Sequence, residues 1–452
     1  MAKRIVVLGG GISGYGSAIL AKKHGLDVFL SDAGSISPLY RSRLEQWGVE
    51  FEEGGHTVDK ILNATEVIKS PGIPDKAPIV VAIRQKGIPV ISEMEFTHRY
   101  IGSAKTVCIT GSNGKTTTTS LIYKILSDAG YNVALGGNIG ESFAYSVATG
   151  AYDWYVLELS SFQLDGMFNF RANIAVLMNI TPDHLDRYDY SFEKYAASKM
   201  RITQNQTSRD YFIYSADDEM ILRQIEGTEI KAKELPFMVH SAIASGAGDA
   251  YLVEEGEAVA TVGKRTMRID TSRLQIKGIH NTYNAMAAVL ATMAAGVECE
   301  QIERSLYEFS AIEHRLEPVG EFGGVLYIND SKATNVDSVW YALESMTRPT
   351  VWIAGGTDKG NDYEPLKGFA REKVHTLICM GLDNQNLVET FTGVVPRVIS
   401  TSSLDEAMTA AREAARQGDA VLLSPACASF DLFKNYEHRG ECFKEWVATH
   451  CK

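Results

Sequence analysis

Cysteine is scarce and scattered. The 452 residues carry six, at positions 108, 299, 379, 427, 442 and 451, with no paired spacing, so neither a disulfide framework nor a cysteine metal site is expected. No apolar run reaches the length of about 18 residues that a membrane-spanning helix needs. Met1-Ala2-Lys3-Arg4 passes directly into a strand pattern, without the charged-then-apolar layout of a secretion signal. Positive charge is in deficit, with 44 Lys and Arg against 56 Asp and Glu and a formal net charge of −12, which argues against nucleic acid as a partner. Internal repeats, heptads and low-complexity linkers are missing as well. These absences leave a reduced, cytoplasmic, globular protein with no membrane span, expected to act as a monomer. If its ligands are anions, their pockets must be local positive islands in an acidic molecule.

What is present is α/β patterning repeated three times. The length predicts about three domains. Arg4–Leu8 reads as a buried strand, 13–24 as a helix and Val28–Ser31 as a second strand. A second block opens with a strand at 106–109 and a helix from about 116 to 129, with later strands at 154–157 and 174–180. Short alternating strands at 251–253, 258–262 and 266–269 read as antiparallel hairpins on the edge of that block. Helices follow at about 281–295 and 300–309. The third block begins near residue 311, with strands at 325–328, 350–354, 375–380 and 420–423. Strands alternating with helices at this spacing imply mainly parallel sheets. The expected architecture is therefore α/β in three domains. Residues 1–100 form a Rossmann-like domain, 101–310 a central P-loop ATPase-like domain with an antiparallel edge, and 311–452 a C-terminal Rossmann-like domain.

Residues 110–119 read Thr-Gly-Ser-Asn-Gly-Lys-Thr-Thr-Thr-Thr, directly after Val107, Cys108 and Ile109. A strand running into a Gly-rich loop and then a helix is a phosphate cradle. The loop N–H groups of Gly111, Ser112, Asn113 and Gly114 point inward, Lys115 supplies a fixed charge, Thr116 can place its hydroxyl on Mg²⁺, and Thr117 follows. Gly111 and Gly114 enclose two residues where the common P-loop has four. The chain is therefore expected to handle a nucleoside triphosphate.

Near the N-terminus, Gly9-Gly10-Gly11-Ile12-Ser13-Gly14 satisfies G-x-G-x-x-G after a strand, with Asp32 closing the next strand. By itself this fits a dinucleotide with Asp32 on a ribose hydroxyl, but such a turn holds any diphosphate at a helix N-terminus. Beside an ATP cradle it suggests a diphosphate-bearing substrate such as a UDP-sugar. Ser70-Pro71-Gly72-Ile73-Pro74, after the strand pattern at 67–68, is either another ligand loop or a plain turn.

Glu158 ends an apolar strand at the edge where open α/β sheets bind ligands, and an unpaired carboxylate there is costly, so it reads as a Mg²⁺ ligand. His184, in Thr181-Pro182-Asp183-His184, ends the next apolar strand and reads as a metal or phosphate contact. Lys199 lies in a helix whose apolar face carries Tyr195, and spacing alone reads it as a surface lysine.

The loop from Thr110 to Thr117, with Glu158, His184 and Lys199, resembles the Mur ligases, ATP-dependent amide-forming enzymes of peptidoglycan synthesis. The likeness continues through Gly278-Ile279-His280-Asn281 with Asn284, His314-Arg315 and Asn329-Asp330-Ser331-Lys332-Ala333-Thr334-Asn335, and spans the chain. Ser424-Pro425-Ala426-Cys427-Ala428-Ser429-Phe430-Asp431, with Asn435-Tyr436 and Arg439-Gly440, looks like the D-glutamate-adding branch. The Asp-Asn-Pro-Arg motif of relatives that add diaminopimelate or lysine is absent, since 383–386 reads Asp-Asn-Gln-Asn.

The resemblance implies roles. ATP and two Mg²⁺ would be the cofactors, and UDP-N-acetylmuramoyl-L-alanine and D-glutamate the substrates. Lys115 and Thr116 would hold phosphates and metal, with Glu158 and His184 at the metals. Lys199 would be carbamylated by CO₂ and so become an oxygen ligand for the second Mg²⁺. Asn281, Arg315 and Asp330 would serve the nucleotide, Arg315 at its phosphates. Asn138, in Gly136-Gly137-Asn138-Ile139-Gly140, would meet the muramoyl group, and Ile12, Ser13, Asp32 and Gly72 the UDP moiety. Lys332, Thr334, Lys359, Ser429, Phe430 and Tyr436 would bind the incoming amino acid. Rival readings explain less. An NAD-dependent oxidoreductase leaves 110–119 without a use, a folate polyglutamylating ligase needs no N-terminal diphosphate domain, and a regulator that only binds nucleotide needs no Glu158, His184 and Lys199.

Overall fold

The computed structural model describes residues 3–183, 185–239, 249–254, 256–310, 313–358 and 360–451. They pack as two compact units, Met1–Leu274 with Asn281–Phe309, and Gln275–His280 with Ser310–Lys452.

The first unit holds two sheets. In one, β1 (Arg4–Leu8), β2 (Asp27–Ser31), β3 (Glu50–Glu52), β4 (Glu66–Lys69) and β5 (Val90–Ile91) lie in the order β3-β2-β1-β4-β5, all parallel. The other is built from β6 (Lys105–Thr110), β7 (Val133–Gly137), β8 (Trp154–Glu158), β9 (Ile174–Leu177), β10 (Tyr211–Ser215), β11 (Lys233–Met238), β12 (Ala250–Glu254), β13 (Glu257–Val262) and β14 (Arg265–Asp270). Their order is β14-β13-β12-β11-β10-β9-β6-β8-β7, parallel except where β13 meets β12 and β14. Ile109 of β6 and Leu157 of β8 are fully buried, as strands covered on both faces require. At the antiparallel edge the pattern turns to alternation: Met267 and Ile269 of β14 are buried, whereas Thr266, Arg268 and Asp270 are exposed.

One continuous core joins the two sheets. It runs from Ile5, Val7, Ile19 and Leu20 to Phe143, Tyr155, Leu157 and Leu177. The helix Ile12–Lys23 from the first sheet and Phe143–Thr149 from the second share this core.

In the second unit β15 (Glu317–Phe322), β16 (Val325–Asn329), β17 (Thr350–Ala354), β18 (Val374–Met380), β19 (Arg397–Thr401) and β20 (Ala420–Leu423) are ordered β15-β16-β20-β17-β18-β19. Only β15 is antiparallel. Trp352 and Ala354 face one core, Val351 and Ile353 the other, the two-residue period of a sheet covered on both sides.

The strands read from sequence are found with ends moved by three residues at most. β3, β5, β7, β10, β11, β15 and β19 are not among them; β15 and β19 are half-exposed edge strands that carry no apolar run. Among the described residues no helix is long and apolar enough to cross a membrane.

Candidate active site

The cradle forms at the C-terminal end of β6, where the chain leaves the sheet at Thr110 and enters the helix Lys115–Asp128. Gly114 caps that helix at φ +81°, and a Cβ there would lie 2.4 Å from Asn284 Oδ1, so only glycine fits. The loop is stapled to the end of β9. Ser112 N donates to Asn179 O (2.9 Å), Ser112 Oγ to Thr181 O (2.8 Å) and Asn113 N to Asn179 Oδ1 (2.8 Å). The buried Tyr195 hydroxyl meets Ser112 Oγ at 3.1 Å. Behind the loop, Asn284 Nδ2 donates to Asn281 Oδ1 (2.9 Å), and Thr118 Oγ1 donates to Asn284 Oδ1 (3.3 Å), which ties both asparagines to the cradle.

Lys115 Nζ folds over the loop and donates to Gly111 O and Ser112 O, both at 2.8 Å. Thr116 Oγ1 donates to Glu158 Oε2 (2.7 Å), and Asn138 Nδ2 to Glu158 Oε1 (2.9 Å). The Glu158 carboxylate is 1% exposed and sits between the cradle hydroxyl and the Gly136–Gly140 turn. Lys199 corrects the spacing-based expectation of a surface lysine. It is 2% exposed, and its Nζ donates to Gly111 O at 2.8 Å over the Tyr195 ring. Burial, followed by the Lys115 charge, holds its amine well below the usual lysine range. Helical period three-to-four places Tyr195 and Lys199 on one face, and the apolar character of that face was the signal available for its burial.

This donor set suits its implied ligands. A helix N-terminus and a lysine match phosphate, although the Ser112 and Asn113 N–H groups expected to point inward are bonded to Asn179 instead, and a hydroxyl beside a buried carboxylate matches a hard divalent cation. Thr117 Oγ1 is buried without a hydrogen-bond partner among the described residues. His184 lies outside the described residues. The Glu313, His314 and Glu441 cluster, in the second unit, is bridged instead by Lys444 Nζ, at 2.8 Å from Glu313 and 3.1 Å from Glu441.

The loops after β1, β2 and β4 meet at one sheet edge. Gly9 N donates to Ser31 O, and Ser70 N to Leu8 O. Ile12 and Ser13 open the helix over this edge, and Gly72 sits in the adjoining turn, where Ile73 N donates to Ser70 O. Both Asp32 oxygens accept backbone N–H groups, from Gly10 and Gly34, so the carboxylate shapes the turn. A residue without a sequence signal joins this edge to the start of the helix Phe143–Thr149. Glu93 is fully buried, and its Oε1 accepts from Ser142 Oγ and Ala144 N, with the Ser13 hydroxyl facing the same carboxyl. Burial pushes the Glu93 carboxyl up to about 7.

In the second unit, Asp330 accepts from Ser424 Oγ (2.7 Å) and Leu316 N (3.1 Å) and is pushed up to about 7 by burial. Lys332 Nζ lies 5.3 Å from the centre of the Tyr436 ring. Ser429 is buried, and the neighbouring Phe430 is 70% exposed. Thr334 ends the turn that Lys332 begins, and Lys359 lies outside the described residues. Arg439, unassigned by sequence, is wholly buried. It donates to Ser331 Oγ and O, Cys427 O and Gly355 O, tying together the loops that follow β16, β17 and β20.

Three family models match the chain in order. These are the Mur ligase MurD-like N-terminal domain over 3–92, the Mur ligase middle domain over 109–292 and the Mur ligase glutamate ligase domain over 314–427. A relative from Christiangramia forsetii named UDP-N-acetylmuramoylalanine–D-glutamate ligase is 51% identical over 447 residues, 99% of each chain. One of the same name from Bacteroides fragilis is 52% identical over 446 residues, 98% of this chain and 99% of its own. Among solved structures, the UDP-N-acetylmuramate-alanine ligase MurC from Thermotoga maritima aligns with a TM-score of 0.64 at 18% identity, over 99% of this chain and 100% of its own. A pseudomurein peptide ligase type C from Methanothermus fervidus aligns with a TM-score of 0.63 at 20% identity, over 99% of each chain.

Proposed function

The chain belongs to the Mur ligase family, and on that premise we propose that it joins D-glutamate to the L-alanine carboxylate of UDP-N-acetylmuramoyl-L-alanine at the expense of ATP, a step of peptidoglycan precursor synthesis. The observation that carries this reading is identity of about one half, over 99% of both chains, to a relative bearing that activity in its name. The alternative, a nicotinamide oxidoreductase built on Gly9–Gly14, would leave the cradle and its Glu158 partner without a purpose. We assign 1–100 to the UDP-sugar, 101–310 to ATP and 311–452 to the amino acid.

In this reading the L-alanine carboxylate attacks the γ-phosphorus of ATP, giving an acyl phosphate and ADP. The D-glutamate amine then attacks the acyl carbon, and the C–O bond to phosphate breaks as the amide forms. Two anions must meet in the first step, so fixed positive charge is the main requirement. Lys115 and the backbone N–H groups at the start of its helix would hold the phosphates, and Arg315 would serve the nucleotide. Mg²⁺ would be held by Thr116, Glu158, His184 and Lys199 as its carbamate, in two sites, and would shield the phosphate oxygens. Carbamylation forms an N–C bond from the neutral Lys199 amine to CO₂ with loss of one proton, so that a neutral group becomes an anion. It is supported by the full burial of that amine beside the cradle, with no carboxylate hydrogen-bonded to it among the described residues. Asn138 would bridge Glu158 and the muramoyl group. Lys332, Thr334, Lys359, Ser429, Phe430 and Tyr436 would hold the amino acid, two lysines suiting a dicarboxylate.

The test is phosphate release with Mg·ATP and UDP-N-acetylmuramoyl-L-alanine, screened against D-Glu, L-Glu, L-Lys, diaminopimelate and L-Ala. Release with D-Glu only, and a product heavier by one glutamyl residue, is expected. Release with another amino acid would keep the ligase chemistry and discard the assigned acceptor.

A further inference from the structure

Arg315 stands between two non-glycine residues in the left-handed region, His314 at φ 63° and Leu316 at φ 44°. Side chains disfavour that conformation, so it persists only where the surroundings over-determine it. Each half of the turn has its own carboxylate anchor. On one side Glu317 Oε2 accepts from His314 N (2.8 Å) and from Asn329 Nδ2 (2.9 Å). On the other, Asp330 Oδ1 accepts from Leu316 N (3.1 Å). The His314 ring is fixed too, with Nδ1 2.9 Å from Asn329 Nδ2 and Nε2 3.5 Å from Glu441 Oε1. Its carbonyl accepts from Lys332 N (3.0 Å). The final helix comes so close that a Cβ on Gly440 would lie 2.1 Å from His314 Nδ1. Lys444 Nζ, 3.5 Å from Glu317 Oε1, balances the anchor charge. The residue on display is the one left unsatisfied: Arg315 Nε is buried without a hydrogen-bond partner among the described residues.

We propose that Glu317 is a positioning residue for the reaction, holding the left-handed turn that fixes Arg315, the residue read as serving the nucleotide phosphates, without itself touching the nucleotide. The inference rests on the reading above that Arg315 serves those phosphates. A turn held at both ends sets the guanidinium before ATP arrives, so its geometry need not be organised during binding. Glu317 Oε2 accepts from His314 N and Asn329 Nδ2, and Oε1 lies 3.5 Å from Lys444 Nζ, so the carboxylate is engaged by the turn and the final helix.

The test is a double-mutant cycle in the full-length enzyme, read as kcat/KM for ATP, KM for D-glutamate and thermal midpoint. Arg315→Ala should lower kcat/KM for ATP on the order of 10²-fold. Glu317→Ala should lower it about tenfold, with KM for D-glutamate within about twofold of wild type. Adding Glu317→Ala to Arg315→Ala should cost almost nothing more, because the turn then has no guanidinium to aim. Glu317→Gln, which keeps one acceptor oxygen, should fall between wild type and Glu317→Ala. Losses that multiply in the double variant, or an unchanged kcat/KM in a folded Glu317→Ala, would overturn the proposal. If Glu317→Ala does not fold, the Gln variant and Lys444→Met carry the same cycle. Should Arg315→Ala leave ATP kinetics untouched, the assignment of Arg315 to the phosphates would fall first, a distinguishable result.

Discussion

Lys115 and Lys199 donate to one carbonyl oxygen, that of Gly111, each at 2.8 Å. The two amines come from the start of one helix and the last turn of another, and meet where β6 turns into the cradle. Burial and the neighbouring Lys115 charge both disfavour a second full positive charge at Lys199. Lys199 is thus the lysine suited to lose its charge.

Lys115→Ala should therefore abolish turnover, by at least on the order of 10²–10³ in kcat, because it removes the fixed charge facing two anions. Circular dichroism and the thermal midpoint should stay close to wild type. A folded variant retaining more than about a tenth of wild-type kcat would sink the cradle assignment.

Lys199→Ala should lose activity and regain part of it with short carboxylic acids such as acetate or propionate. The added carboxylate would occupy the space of the lost carbamate. Titration of each acid against phosphate release checks this, and no rescue at any concentration counts against carbamylation.

Arg439 should govern the stability of the second unit. Its guanidinium serves carbonyls at three loop ends, with no carboxylate hydrogen-bonded to it among the described residues. Arg439→Met would leave those acceptors buried and unpaired, at a cost of about 3–5 kcal/mol. Arg439→Lys should restore little, since a single ammonium cannot span them. Denaturant unfolding of both variants is the measurement, and a loss under about 1 kcal/mol in Arg439→Met would refute the clamp.

The stability contributed by Glu93 and Asp330 should fall as pH rises from about 4.5 toward 7, against the opposite trend of His280, whose folded value burial lowers to about 4. Glu93 and Asp330 both have folded values raised to about 7 by burial. Between its ordinary value and 7, each keeps a proton in the native state that the unfolded chain has released. The contribution is therefore full at lower pH and is lost on the way up. Glu93→Gln removes one of the two groups, so the slope of its unfolding free energy against pH between 5 and 7 should be more positive than that of wild type. Parallel slopes would mean that Glu93 is ionised throughout.

The sheets were legible because parallel strands buried on both faces spell near-continuous apolar runs, as 107–109 and 350–354 do. The cradle was legible because its pattern is local: Gly111, Gly114, Lys115 and Thr116 are neighbours in the chain and lie together in one strand-to-helix loop. Glu158 was readable from its place at a strand end.

The amino-acid sequence by itself determined the three α/β blocks, the order of the motifs and the family to which they belong. All of these depend on spacing along the chain. Tertiary structure alone decided the depth of Lys199, the linking by Glu93 of the first sheet's edge to the helix Phe143–Thr149, the clamp of Arg439 and the pinned turn around Arg315. Each depends on burial and on partners distant in sequence. Desolvation and hydrogen-bond geometry act through space, and a single charged letter carries no record of either.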